Sequence, residues 1–432
     1  MSTRPSTESP PAVATATLAF SGYQRFVTGV LAFLQFTLVL DFMMLSPLGA
    51  LVIPALRISP SQFGLVVSTY AFAAGISGFL TAGFADRFDR RKLLLFFYLG
   101  FLAGTLLCGV AGSYAFLLFA RMVTGLFAGV VGSVSFAIVT DLFPLQLRGR
   151  VMGVIQASFS ASSVLGIPIS LSLSNQWGWN APYLMIVGIG AAVGLVIRTY
   201  LRPVDEHLKL HPDRSPLHHL RQTLVTRRYQ LGFAATGLLS VGGFMLMPFV
   251  SVFNVQNVGL ALGQLPWLYL ITGLASMLTA PLIGRASDRL GTFRVFAFGC
   301  AMTIIMVTIF TRLGRTPLTT TAAIMVLLQV GIFSRIIASS VLTSALPAPA
   351  DRGAYMSISA SIQQVSGGVA AVIAGLVVVQ EPAGPLHHFD VLGDILVGTT
   401  LVTLVLMRYV NREVAIPRES GATGEAAGIA KG

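Results

Sequence analysis

Apolar residues in this chain come in long uninterrupted blocks, not in the alternating or 3.6-residue stripes of a half-buried strand or helix. Residues 93–112 and 231–253 each run without a single charge. A helix needs roughly 20 apolar residues to cross a bilayer. Blocks of that kind predict twelve spans, near 27–54, 63–84, 93–112, 115–140, 150–173, 182–200, 230–253, 264–284, 295–311, 317–345, 354–379 and 391–408. The chain therefore reads as an all-α membrane protein with 12 transmembrane helices. The longest polar interruption, 202–228, contains Pro203, Pro212 and Pro216 and divides the spans six and six. The expected organisation is a disordered tail at 1–20, a six-helix bundle at 21–202, a central loop at 203–228, a second six-helix bundle at 229–410 and a tail at 411–432. Connections such as 175–180 are short, so neighbouring helices run antiparallel.

Composition agrees with a lipid environment. Of the 432 residues 54% are hydrophobic and 10% charged, with mean hydropathy +0.80. A soluble domain carries about 25% charged residues, so this chain could not cover a soluble surface of its size. The net charge of +12 suggests nucleic acid until its placement is counted. Arg57, Arg312 and Arg315 fall on one face, and Arg121 and Arg335 fall inside spans. The other 23 of the 28 Lys and Arg lie in the termini and the alternate loops. That is the positive-inside pattern, which places both termini in the cytoplasm and leaves anionic lipid, not nucleic acid, as the partner of the excess charge. Cys108 and Cys300 are isolated in apolar runs and form neither a disulfide framework nor a metal site. The first eighteen residues lack the basic start and apolar core of a signal peptide.

A charged phrase occurs twice in matching places. Gly83-Phe84-Ala85-Asp86-Arg87-Phe88-Asp89-Arg90-Arg91-Lys92 and Gly284-Arg285-Ala286-Ser287-Asp288-Arg289-Leu290-Gly291 each separate two apolar blocks, with Asp86 and Asp288 202 residues apart. A second pair, Pro144 with Arg148-Gly149-Arg150 and Met152, matches Pro347 with Arg352-Gly353 and Met356 at nearly the same offset. Two parallel repeats with a site between them at mid-membrane is one of the known transporter layouts. On these phrases the sequence resembles the major facilitator superfamily across nearly its whole length. Ala82 stands at the usual first glycine of the loop signature and Asp89 at a later one, while the second copy fits better. Arg121-Met-Val-Thr124-Gly125 is similar to the family's Arg-x-x-Gln-Gly phrase, with Thr for Gln, and Gly166-Ile-Pro168 partly resembles the Gly-Pro phrase of drug and metabolite exporters that exchange against protons.

Asp41, in Leu38-Val-Leu-Asp41, is the only acid deep in a span, near the middle of the block at 27–54. Burying a carboxylate is expensive unless it is protonated, paired or facing water. Desolvation favours the neutral form of a carboxyl and a nearby cation the charged form, so one held between them can bind and release a proton. Asp41 is the expected proton or cation site; the alternative is a neutral or paired acid that locks helices together. Arg121 keeps its charge and either tunes Asp41 or donates to carbonyls. In families with its phrase the arginine is linked to proton transfer. Arg335 has no counterpart in the first half, which points to an anionic or carbonyl-bearing substrate. Gln156 and Gln363 are expected on the substrate path, because the fifth and eleventh spans line the cavity in the resembling family, and Tyr70 could stack on a ligand. Asp86, Arg90, Asp141, Asp288 and Arg289 form an expected cytoplasmic latch. By the resemblance, Asp86 caps the eleventh span; by the symmetry of the repeat, Asp288 caps the fifth, and Arg90, one helical turn after Asp86, is expected to pair with Asp141. Gly166 and Pro168 would bend the fifth span.

The chain has no phosphate loop and no zinc spacing, so neither ATP drive nor a cofactor is expected, and no nucleophile–base constellation marks an enzyme. The expected function is proton-coupled efflux of a small organic molecule by a monomer in a bacterial-type plasma membrane. Protonation from outside would neutralise Asp41 and inward release restore its charge. An uptake symporter for a sugar, acid or peptide is the alternative, and a non-transporting sensor or scaffold a second.

Overall fold

The computed structural model describes residues 20–205, 216–348, 351–381 and 384–415, with the side chains of 82, 83, 86, 145, 216–220 and 415 also outside the description. Among these residues twelve helices are long and apolar enough to cross a membrane: Gly22–Met44, Pro60–Thr81, Arg90–Gly109, Tyr114–Leu142, Gln146–Trp177, Ala181–Tyr200, Arg227–Gln256, Leu262–Leu290, Thr292–Phe310, Leu318–Ser344, Arg352–Val377 and Phe389–Val414. They are the first to twelfth spans below. An even number of spans returns the chain to the side where it began. The connections after odd-numbered spans gather at one end, the short-loop end, and the Arg-rich ones at the other, the basic end.

Helix starts follow local chemistry. The Ser21 and Ser59 hydroxyls each accept a bond from the backbone N–H three residues on, and their own N–H groups donate to the Gln24 and Gln62 side-chain oxygens, reciprocal caps that satisfy otherwise orphaned N–H groups. Asp89 caps the third span through Arg91 N at 2.9 Å and also accepts Val204 N at 3.1 Å, tying the start of the central loop to the first half. At the far end of the fourth span, Arg148 donates to the carbonyls of Thr140 and Phe143, where the dipole favours a cation.

The first span differs from its sequence expectation. The helix stops at Met44, turns through residues 45–48 and resumes as Gly49–Leu56. Pro47 has no N–H and its ring opposes a preceding carbonyl, which ends a helix. Asp41 therefore lies in the last turn of a helix, not in the middle of one. The break frees the Ser46 carbonyl, which accepts the Ser251 hydroxyl of the seventh span at 2.9 Å. A second hydrogen bond between the halves, Asn175 Nδ2 to Leu262 O at 3.1 Å, is also at the short-loop end. Gly64 and Gly375 bring the second and eleventh spans into backbone contact there: a Cβ on Gly64 would stand 2.6 Å from the Ala371 carbonyl. The molecule is closed at the short-loop end.

The fifth span widens to a π-helical turn at Ser162–Gly166, immediately before Pro168. Ser158 and Ser162 donate to the Ala32 and Phe36 carbonyls of the first span at 2.6 and 3.0 Å. A Cβ on Gly166 would stand 2.5 Å from Leu40 Cδ1, beside Asp41. Two smaller departures from an all-helical reading occur. Val379–Gln380 pairs antiparallel with Leu386–His387, Val379 opposite His387, and Asn257 clamps the Leu386 backbone at 2.8 and 2.9 Å. The central loop contains a helix, Pro216–Val225. The tails expected at 1–20 and 411–432 lie mostly outside the described residues.

Candidate functional site

The first span delivers Asp41 and the fourth delivers Arg121, and the two meet inside the first half. Arg121 Nη1 donates to Asp41 Oδ2 at 2.8 Å and to the Asp41 carbonyl at 3.3 Å. Both side chains are fully buried. Thr105 of the third span donates to Asp41 Oδ1 at 3.3 Å and to the Phe101 carbonyl at 2.9 Å. Arg121 Nε and Nη2 have no hydrogen-bond partner, and the buried Tyr183 hydroxyl of the sixth span has none either. The pair is thus monodentate and under-satisfied. That is weaker than the two-pronged geometry an arginine and a carboxylate can form, and it suits a contact that must open.

A file of rings leads out of the pair. The Arg121 guanidinium stacks over the Tyr70 ring at 4.3 Å. Tyr70 lies 5.3 Å from Phe42, and Phe42 lies 5.8 Å from Phe244 of the seventh span, in the other half. Gly125 permits this: a Cβ there would stand 2.5 Å from the Tyr70 carbonyl. The acid, the cation and the boundary between the halves are therefore in contiguous contact. Sequence reasoning singled out Asp41, Arg121 and Tyr70 separately. It missed Thr105, Tyr183 and the bridging role of Phe42, since one threonine or phenylalanine in an apolar block carries no signal of its own.

Gln156 and Gln363 are both exposed. Each lies ten or eleven residues inside its span from the basic end, roughly 15 Å of helix. A glutamine at that depth facing lipid would be costly, whereas one facing a water-filled space is not. Arg335 stands elsewhere. Its side chain is 2% exposed and enclosed within the second half, where Cys300 of the ninth span and Gly242 of the seventh adjoin it. No hydrogen bond links it to Gln156, Gln363 or the Asp41 pair among the described residues.

At the basic end, Arg90 Nε meets Asp141 Oδ2 at 3.1 Å, with the arginine side chain 5% exposed. Asp288 and Arg289 are exposed and form no hydrogen bond or ion pair among the described residues. The side chain of Asp86 lies outside the described residues. No group of three or more His, Cys, Asp or Glu that could hold a metal ion occurs among the described residues, and His207, His211, His218 and His219 have undescribed side chains.

The major facilitator superfamily model matches residues 31–371 and 232–427. An uncharacterised major-facilitator-type transporter of Bacillus subtilis is 26% identical over 265 residues, covering 61% of this chain and 67% of the relative. A chloramphenicol efflux pump of Mycobacterium tuberculosis is 28% identical over 248 residues, 56% of this chain and 59% of the pump, so the match spans little more than half of its length. Multidrug resistance protein 3 of Bacillus subtilis is 30% identical over 152 residues, 35% of this chain and 30% of that one. Among solved structures, a bacterial homologue of the human lysosomal transporter Spinster, inward-facing and occupied, superposes with TM-score 0.68 at 14% identity, covering 92% of this chain and 97% of the other. The nucleoside transporter NupG superposes with TM-score 0.68 at 14% identity, covering 89% and 99%. These superpositions establish the fold, and with the match over most of the chain, this protein belongs to the major facilitator superfamily of membrane transporters.

Proposed function

We propose that the protein is a proton-coupled exporter of small organic molecules, working by alternating access as a monomer in a bacterial cytoplasmic membrane, with both termini inside. The observation that carries the reading is the buried Asp41–Arg121 pair. An arginine keeps its charge at any physiological pH, whereas a carboxylate can leave the pair by taking a proton. Protonation of Asp41 weakens the 2.8 Å contact and leaves the guanidinium to seek other acceptors. The file Arg121–Tyr70–Phe42–Phe244 gives that change a physical route to the second half.

Contacts between the halves at the short-loop end, together with exposed Gln156 and Gln363, fit a cavity open to the basic end, which is cytoplasmic by the positive-inside rule. A substrate entering there meets the two glutamines first, with Tyr70 behind them. The unengaged Asp288 and Arg289 fit the same state, since a latch on that side holds only when the cavity faces out. The named exporters among the relatives support the direction of transport and make an amphenicol a sensible first probe.

The test is transport in vesicles of known orientation. Inside-out vesicles with an acid interior should accumulate the substrate against its gradient and release protons as they do so. Accumulation only when both species enter on the same side would assign the uptake alternative, and binding without flux would reject transport altogether.

A further inference from the structure

Arg121 and Arg335 are both buried deep within their spans and differ in one respect. Arg121 has an acid; Arg335 does not. Arg335 is 2% exposed, forms no ion pair with any described acid, and leaves Nε and Nη2 without a hydrogen-bond partner. A guanidinium cannot discard its charge as a buried lysine or carboxyl can, and an uncompensated charge in a low-dielectric interior is among the most costly features a fold can carry.

Its surroundings are polar yet offer no negative charge. Gly242 has no side chain opposite it: a Cβ there would stand 3.7 Å from Arg335 Nη2 and 3.1 Å from Thr399 Oγ1. Thr400, also on the twelfth span, is fully buried, and its hydroxyl has no partner. Thr303 of the ninth span is likewise fully buried and unpartnered, close against Gly331, one turn before Arg335 on the tenth span. The Ser339 hydroxyl contacts the Met407 sulfur at 3.8 Å. With both helices running the same way, that contact sets Arg335 level with Thr403, and a helical side chain leans back toward the preceding turn, where Thr399 and Thr400 lie. The Cys300 thiol adjoins the guanidinium as a small soft group and not as a counter-charge. A buried cation with two unpartnered N–H groups, beside a bare glycine and the Thr399 hydroxyl, has the donors of an anion receptor.

We infer that this enclosure among the seventh, ninth, tenth and twelfth spans binds a small monovalent anion, either a halide or the carboxylate of a small organic acid. Arg335 supplies the charge through Nε and Nη2, and Gly242 puts no side chain beside Nη2. The site is separate from the Asp41 pair and holds whichever way the carrier runs.

The test needs no transport. Purified full-length protein is unfolded thermally in sodium chloride, sodium acetate or sodium gluconate at constant ionic strength. The expected result is a saturable rise of roughly 2 °C or more with chloride or acetate over gluconate. Chloride alone assigns a resident inorganic ion; acetate alone assigns the acid group of a substrate. Arg335→Met should abolish the shift while unfolding in gluconate no lower than the wild type, because it removes the unbalanced charge. Gly242→Ala keeps the charge, fills the space in front of it and should weaken the anion at least tenfold, which preserves the test if Arg335→Met does not fold. Identical curves in all three salts, or an anion shift that survives unchanged in both variants, would overturn the assignment.

Discussion

Replacing Asp41 by Asn keeps the shape of the side chain and removes its charge. Arg121 then retains its bond to the carbonyl of residue 41 at 3.3 Å and its stacking on Tyr70 at 4.3 Å, with Nε and Nη2 already unpartnered and the whole side chain buried. Breaking a buried pair from one side costs about 3–5 kcal/mol, against about 0.5–2 kcal/mol for the cation–π contact that remains. Removing the arginine instead, as Arg121→Met, leaves a carboxyl that can take a proton and keep its bond from Thr105, so roughly 1–2 kcal/mol is lost. The double variant removes both charges and should lie within about 2 kcal/mol of the wild type. Asp41→Asn is thus the worst of the three, and the double variant is more stable than the sum of the singles by roughly 2 kcal/mol or more. Thermal and denaturant unfolding of the four proteins in one detergent measures the cycle. Additive losses, or Arg121→Met costing more than Asp41→Asn, would refute the claim that the pair is a charge balance poised on a proton.

Three further outcomes follow from the geometry. Gly129→Val should destabilise by about 1–3 kcal/mol, because the new side chain meets the Ala74 carbonyl and the Ser77 hydroxyl, whereas Gly132→Ala, with nothing within 4 Å, should be neutral or slightly stabilising by the same unfolding assay. Asp141→Asn, opposite an arginine side chain 5% exposed, should cost about 1–2 kcal/mol, while Arg312→Ala, whose pair with Asp394 is 44% and 57% exposed, should leave the unfolding curve nearly unchanged. Asp86→Ala should shift the labelling of single cysteines on the cytoplasmic side more than Asp288→Ala, since the first copy of the repeated phrase has the Arg90–Asp141 link and the Asp288 side chain has no partner among the described residues; equal shifts would count against an asymmetric latch.

The spans were legible because each apolar block is long enough to cross a bilayer and little else explains so many uncharged runs. The repeat was legible because charge is rare, so Asp86-Arg87 and Asp288-Arg289 stand out against apolar sequence. The break in the first span was not anticipated, since residues 27–54 hold no charge but Asp41 and Pro47 alone does not say whether a helix kinks or stops. Asp41 and Arg121 were conspicuous as intramembrane charges, but their contact spans 80 residues and depends on how two helices rotate against each other. Thr105, Phe42 and Tyr183 were invisible for a related reason, because their roles are fixed by neighbours on other helices. Arg335 was visible as a charge, while its lack of an acid among the described residues is set by three other spans, the seventh, ninth and twelfth.

The central claim is that Asp41 couples a proton to movement of substrate. The most direct measurement compares wild type and Asp41→Asn in proteoliposomes, reading substrate accumulation under an imposed pH gradient beside substrate exchange with no gradient. The account predicts that the variant loses gradient-driven accumulation and keeps exchange. Full gradient-driven accumulation by Asp41→Asn would contradict it.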